Sequence, residues 1–254
     1  MGKDLEKTLN ELAFWHIRYQ QQAIWTCKTR RYLFNQAGVS PDDRILDIGC
    51  GSGAIMEALT DEGFSDLTGI DIDLTILSTL HQPFPISCAD GMELPFTINT
   101  FDHAFCHFTL MWSTVPQQMV CEMRRVIRSG GWIFLLAEPD YGGRLSYPQE
   151  LEKLADLQTE ALQRQGANTK MGRELLTMLS ACGLQKASGG IIGTETHQGN
   201  SNPLSLDLEV LRRDLEGILS AEEAERILSK ARATADSPGA LWVVPVCYAC
   251  GQVA

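Results

Sequence analysis

Residues 44–53, RILDIGCGSG, constrain this chain more tightly than any other stretch. The apolar run RILDIG (44–49) reads as a short strand. Gly49, Gly51 and Ala54 then follow the G-x-G-x-x-G/A spacing of a tight turn from a strand into a helix. The helix so predicted, GAIMEALTDEG, is closed by Gly63. A strand feeding a helix through so short a turn is the first half of a βαβ unit, which commits the chain to parallel strands and crossovers. Asp47 breaks the pattern: it sits two residues before the first glycine, a fixed negative charge beside the place where a pyrophosphate would lie.

The same alternation continues downstream. DLTGIDI (66–72), PISCAD (85–90), FDHAFCHF (101–108) and GWIFLLAE (131–138) read as further strands. A helix is expected from Asp73, a plausible N-cap, to Pro83. PQQMVCEMRRVIRSGG has helical spacing at Met119, Met123, Val126 and Ile127 and then a double-glycine stop. Outside this core, residues 3–37 read as a helix with Leu5, Leu9, Leu12, His16 and Tyr19 along one stripe. Residues 145–183 and 205–235 read as further helices around the strand-like ASGGIIGTETH, and LWVVPVCYACGQVA as a last strand suited to an antiparallel edge. The expected fold class is α/β: a doubly wound, mostly parallel, seven-stranded Rossmann-like sheet with an antiparallel edge strand and a helical cap. Its expected division is an N-terminal helical lid (1–40), a cofactor-binding core (41–140), and cap insertions with the last strands (141–254). The cap helices are expected to lack a core of their own and to lie over one end of the sheet.

Composition narrows the function. A net charge of -11 and a pI near 4.9 oppose binding to DNA or RNA through their phosphates, and equally to an anionic membrane surface. No apolar run approaches the length of a spanning helix, and the polar start MGKDLEKTLN does not read as a signal peptide. Glu6 stands where a myristoylation motif after Gly2 wants Ser or Thr. A cytoplasmic protein without nucleic-acid or membrane partners is expected, as a monomer or homodimer. The eight cysteines are expected to be free thiols. The lone CYAC at 247–250 reads as strand cysteines, and no metal site is expected.

Ligands of open α/β sheets bind at the carboxyl ends of the strands, where the strand order reverses. Asp47, Asp71 and Asp90 mark three successive strand ends there. Asp71 can accept both hydroxyls of a ribose, and Asp90 an adenine amino group, with Gly91 and Met92 offering backbone and apolar contact to the ring. Asp47 would repel a phosphate but favour a cation. A nucleoside carrying an ammonium and a sulfonium satisfies all three, and that ligand is S-adenosylmethionine.

ILDIGCGSG, LTGIDID, CADGMELPF, FDHAFCHFTLMW and EMRRVIRSGGWIFLLAEP, in this order, resemble the successive motifs of the class I S-adenosylmethionine-dependent methyltransferases, in particular their small-molecule, ubiquinone/menaquinone-type branch. The motif core spans 44–138, with weaker similarity on both sides. The resemblance implies that Gly49, Cys50, Gly51 and Gly53 bring the backbone against the methionine part of the cofactor, and that Asp47 acts there through its charge. It implies that Asp71, with Ile72, holds the ribose, and that Asp90, Gly91 and Met92 hold the adenine. Cys106, His107 and Phe108 would lie beside the sulfonium. Arg30, preferred over Arg31, would pair with the cofactor carboxylate, with Tyr19 and Trp25 on the same lid. Many relatives carry a His where this chain has Trp112, so no role for it is transferred.

Each assignment has a plainer competitor: caps or turns for the aspartates, core packing for Tyr19 and Trp25, a satisfied strand-end histidine for His107. The expected reaction is in-line methyl transfer to a small-molecule acceptor, with S-adenosylhomocysteine as product. A carboxylate or phenolate acceptor needs almost no base, whereas a hydroxyl, amine or carbon acid would call on His107 or Tyr141. Two other readings stay open. One is a protein of this fold that binds the donor without turnover; the other is an NAD-dependent oxidoreductase, opposed by Asp47 and by the lack of a Tyr-x-x-x-Lys relay.

Overall fold

The computed structural model describes residues 2–77, 84–193, 203–235 and 239–254. Its centre is β1 (Ile45–Ile48), buried at every position. That burial explains why ILDI carries no polar alternation apart from Asp47: a central parallel strand is covered on both faces. β1 pairs in parallel with β2 (Leu67–Asp71) on one side and β4 (Phe101–Cys106) on the other. β2 pairs with β3 (Ile86–Cys88), and β4 with β5 (Ile127–Pro139), again in parallel. β9 (Val246–Gln252) runs antiparallel to β5, and the edge strand β7 (Gln185–Ile192) runs antiparallel to β9. The order β3-β2-β1-β4-β5-β9-β7 therefore reverses direction between β1 and β4. That is the switch point at which a ligand crevice opens.

Helices cover both faces. On one, α1 (Gly2–Ala37) and α2 (Ala54–Asp61) bring Leu33, Phe34, Met56 and Leu59 onto Phe105 and Phe134. On the other, α4 (Pro116–Val126) and α6 (Leu175–Ala181) bring Val120, Met123, Met178 and Leu179 onto Leu46, Ala104 and Ile133. α3 is described over Leu74–Leu77, with Asp73 as its N-cap through bonds from the Thr75 and Ile76 amides. The expected continuation to Pro83 lies outside the described residues, as do positions 194–197 of the strand-like piece.

Four expectations are corrected. β5 begins at Ile127, not Gly131, so the double glycine lies inside the strand and does not stop a helix. A Cβ on Gly131 would lie 2.1 Å from the Asp102 carbonyl, and Gly130 has φ 82°; the two glycines let β5 shift register against β4. The last strand is really two. Pro245, which has no amide to donate, follows β8 (Leu241–Val243), and β8 pairs with β6 (Leu145–Tyr147) in a separate small sheet.

The cap does have a core: Leu151 and Leu154 of α5 (Gln149–Arg164) pack with Leu208, Leu211 and Leu215 of α7 (Pro203–Leu215) and with Leu228 of α8 (Ala221–Ala235). Finally, Cys121 and Cys182 are joined as a disulfide, 61 residues apart in sequence, because α4 and the end of α6 pack side by side. The other six cysteines are free, Cys247 and Cys250 among them. No described helix is long and apolar enough to cross a membrane.

Candidate functional site

The turn after β1 is held by backbone geometry and by one carboxylate. Gly49, at φ 73°, takes a left-handed conformation, and a Cβ there would lie 2.3 Å from the Thr109 methyl. The Gly49 and Cys50 amides both donate to the Ile70 carbonyl at 2.9 Å. Asp71, at the end of β2, accepts from the Gly51 amide at 2.8 Å and from the Asp73 amide at 2.9 Å. It therefore orders the glycine turn while keeping lone pairs for a ligand, since each carboxylate oxygen takes more than one donor. Asp90, past the end of β3, accepts from the Met92 amide at 2.8 Å. Gly91 is required by packing: a Cβ would lie 2.9 Å from both the Ile48 side chain and Met119 Cε.

These groups share one cavity of about 1830 Å³ at the carboxyl ends of the strands. Asp47, Gly49, Cys50 and Gly51 line it from β1 and its turn; Asp71 and Ile72 follow from β2; Asp90, Gly91 and Met92 from β3. Asp47 is only 2% exposed, and its Oδ1 has no hydrogen-bond partner. Burial pushes its carboxyl well above the usual carboxylate range, the Asp71 charge adds to that, and Arg30 opposes it. A buried carboxylate oxygen with no donor is costly unless something cationic or hydrogen-bonding meets it. These carboxyl oxygens are acceptors, so the wall suits a ligand that brings donors and positive charge and not a pyrophosphate.

The floor comes from the loop after β4. His107 Nε2 lies 3.0 Å from Thr26 Oγ1 of α1, and burial, with the Arg30 charge, pushes the imidazole down to about 3. Phe108, at φ 56°, stacks edge-on against His107 at 4.9 Å between ring centroids. This unusual backbone is pinned from β5. The Phe108 amide donates to the Ala137 carbonyl at 2.8 Å. The fully buried Glu138 accepts from the amides of Thr109 (2.9 Å), Leu110 (2.8 Å) and Met111 (3.1 Å). Burial pushes Glu138 up to about 7 against those three donors. In the sequence, Glu138 is marked only as an acid closing an otherwise apolar run.

α1 closes the top. His16 Nδ1 meets Ser52 Oγ at 2.8 Å, and the Tyr19 ring would be the first neighbour of a Cβ on Gly51, at 3.3 Å. Tyr19 and Trp25 line the cavity. Burial beside Asp71 and Asp73 pushes the Tyr19 phenol up to about 12. Arg30 departs from its expected place. It is 1% exposed, pairs with Glu62 at 3.0 Å, and is not part of the cavity wall. It faces inward from α1 toward α2, so it reaches the site only through its charge on Asp47 and His107. Arg31 is exposed and pairs with the same Glu62. Cys106 is buried in the core and Gly53 lies in the turn, both outside the wall.

Beyond His107 the cavity extends under the cap, where Tyr141, Arg144, Gln158, Asp214 and Trp242 line it. Burial pushes the Tyr141 phenol up to about 12. Two ion pairs bind lid to cap here, Arg18 to Asp207 at 2.6 Å and Arg213 to Glu11.

Residues 46–135 match the family model described as a methyltransferase domain. The chain is similar to curated demethylmenaquinone methyltransferases. That of Corynebacterium urealyticum is 33% identical over 132 residues, which is 52% of this chain and 53% of the relative. That of Staphylococcus aureus strain Newman is 30% identical over 132 residues, 47% of this chain and 52% of the relative. The chain thus spans about half the length of the curated relatives it matches.

Among solved structures, a methyltransferase candidate from an antibiotic biosynthesis pathway of Anabaena variabilis superposes with a TM-score of 0.65. It is 14% identical, over 89% of this chain and 97% of that one. A phosphoethanolamine N-methyltransferase of Haemonchus contortus, solved with S-adenosylhomocysteine, gives 0.53 at 15% identity, over 83% of this chain and 48% of that one. The structural likenesses concern the fold, and the family model concerns the sequence of residues 46–135. Residues 46–135, at the centre of a sheet so ordered, are thus similar to a methyltransferase domain.

Proposed function

We propose that the protein transfers a methyl group from S-adenosylmethionine to a small-molecule acceptor held under the cap. The observation that carries this is a single cavity lined both by Asp47, Asp71 and Asp90 at successive strand ends and by Tyr141, Arg144, Gln158 and Trp242 on the cap side. At about 1830 Å³ it exceeds the usual 300–1,000 Å³ of a one-ligand pocket, as a site for donor and acceptor together must. The curated relatives are named for demethylmenaquinone, itself a small molecule, which supports an acceptor of that size.

In this reading Asp71 holds the ribose, Asp90 the adenine amino group, and Asp47 faces the ammonium end beside the glycine turn. When bound, S-adenosylmethionine supplies an electrophilic methyl group. The task left to the chain is to align the acceptor and keep water out. Tyr19, Trp25 and Phe108 line that wall, and the His16–Ser52 bond holds the lid on the turn. Neither His107, pushed down to about 3, nor Tyr141, pushed up to about 12, is poised to exchange a proton near neutrality. The reading therefore favours an acceptor that enters with its lone pair already free, and gives His107 a positioning role against Thr26.

A thermal-shift measurement tests donor binding. S-adenosylhomocysteine at a hundredfold excess over its Kd is expected to stabilise the fold by about 2.7 kcal/mol, raising Tm by roughly 5–10 °C. A saturating series that leaves Tm unmoved contradicts the proposal.

A further inference from the structure

The cap side of the cavity holds a guanidinium that donor binding leaves without a task. Arg144 lies just before β6. Its Nη1 donates to the Ala155 carbonyl at 3.2 Å and its Nη2 to Gln158 Oε1, while its buried Nε has no partner. Its Cζ lies over two aromatic rings, 4.4 Å from the Trp242 centroid and 5.0 Å from that of Tyr141. Among the described residues no carboxylate comes within ion-pair distance of it. The other two arginines of this wall are neutralised, Arg18 by Asp207 and Arg213 by Glu11 and Glu209. Burial pushes Arg144 down to about 10, still charged at neutrality.

The nearest acid in its hydrogen-bond network is kept one side chain away. Gln158, buried, accepts from Arg144 and donates to Asp214 Oδ2 at 2.7 Å, so the amide spaces cation from anion. Burial pushes Asp214 up to about 6. A cation desolvated in a cavity wall, braced by aromatic faces and held off its nearest acid, lacks the partner that such charges need. Two of its five N–H groups are used, which leaves donors for the two oxygens of a carboxylate.

We propose that Arg144 anchors a carboxylate on the acceptor: a monoanionic, aromatic acid seated against Tyr141 and Trp242. The inference rests on the methyltransferase reading and adds the substrate class to it. The charge of the wall favours a monoanion, because Asp214 in the same wall, spaced from Arg144 by Gln158, repels a dianion such as phosphate more strongly. Leu211, Leu241 and Val243 add apolar surface to the same wall, which suits a hydrocarbon or ring body behind the charged end.

The test is calorimetric titration of the S-adenosylhomocysteine-loaded protein with benzoate, benzamide and inorganic phosphate, in the wild type and in Arg144→Met and Arg144→Lys. Benzoate is expected to bind the wild type at least about tenfold more tightly than benzamide or phosphate. Arg144→Met is expected to erase that preference and Arg144→Lys to restore part of it, with S-adenosylhomocysteine affinity unchanged in both. Equal binding of benzoate and benzamide to the wild type overturns the proposal, and needs no variant to fold. So does a benzoate preference that survives Arg144→Met, or tighter binding of phosphate. If S-adenosylhomocysteine itself fails to bind, the methyltransferase reading fails, and benzoate against benzamide on the unloaded protein still reads Arg144 separately.

Discussion

Replacing Glu138 with alanine is expected to cost about 3–5 kcal/mol of stability, lowering Tm by roughly 10 °C, and to weaken S-adenosylhomocysteine binding at the same time. The carboxylate is fully buried and takes three consecutive amides, those of Thr109, Leu110 and Met111. Each donor left without a partner costs about 1–3 kcal/mol in a buried setting, though the three do not add fully. Once the three amides are released, the left-handed Phe108 loses its support, and with it the floor of the cavity moves. Glu138→Gln keeps one acceptor oxygen but turns an NH₂ toward the donors, so its loss is expected to be intermediate. A Glu138→Ala protein that melts within about 1 °C of the wild type contradicts this account of the loop.

Asp71→Ala carries the largest expected effect on binding, about 2–4 kcal/mol or roughly 30- to 1,000-fold in S-adenosylhomocysteine affinity. The residue has two tasks. Its Oδ2 and Oδ1 hold the Gly51 and Asp73 amides, which order the glycine turn and the entry to α3. The proposed ribose contact is added to these, so the variant loses both the ligand's partner and the shape of the pocket. Asp71→Asn retains one carbonyl oxygen and is expected to lie between the two. The measurement is calorimetric Kd for wild type and both variants, and unchanged affinity in Asp71→Ala removes the residue from the ribose role.

The parts of this site that were legible in sequence are those written locally. Strand, glycine turn and helix are set by neighbouring residues, and RILDIGCGSG specifies all three at once. Asp47, Asp71 and Asp90 fall on strand ends because parallel strands of similar length bring their carboxyl ends to one edge. What was illegible depends on distant partners. Arg30 and Arg31 are adjacent on a long helix, and only the packing of α1 on α2 shows that Arg30 faces Glu62 and not the cavity. Glu138 belongs to an apolar strand motif, and its role needs the amides of a loop 27 to 29 positions upstream.

The Cys121–Cys182 bond and the β6–β8 sheet likewise join segments far apart in the chain. The double glycine misled for a physical reason: glycine both ends helices and permits close strand approach, and here Asp102 lies against Gly131. EPDYGGR follows a strand end, where substrate-facing groups occur, but a single arginine in it has no spacing signal; the surroundings of Arg144 come from α5, β8 and the turn at Tyr141.

We propose that this crevice is shaped for a cationic adenosyl donor and not for a dinucleotide. Parallel calorimetric titration of the purified protein with S-adenosylmethionine, S-adenosylhomocysteine and NAD tests it most directly. Saturable binding of both adenosyl compounds with NAD silent is expected, because Asp47 presents a buried, unpartnered oxygen where a pyrophosphate would lie. Binding of NAD with the adenosyl compounds silent would contradict it.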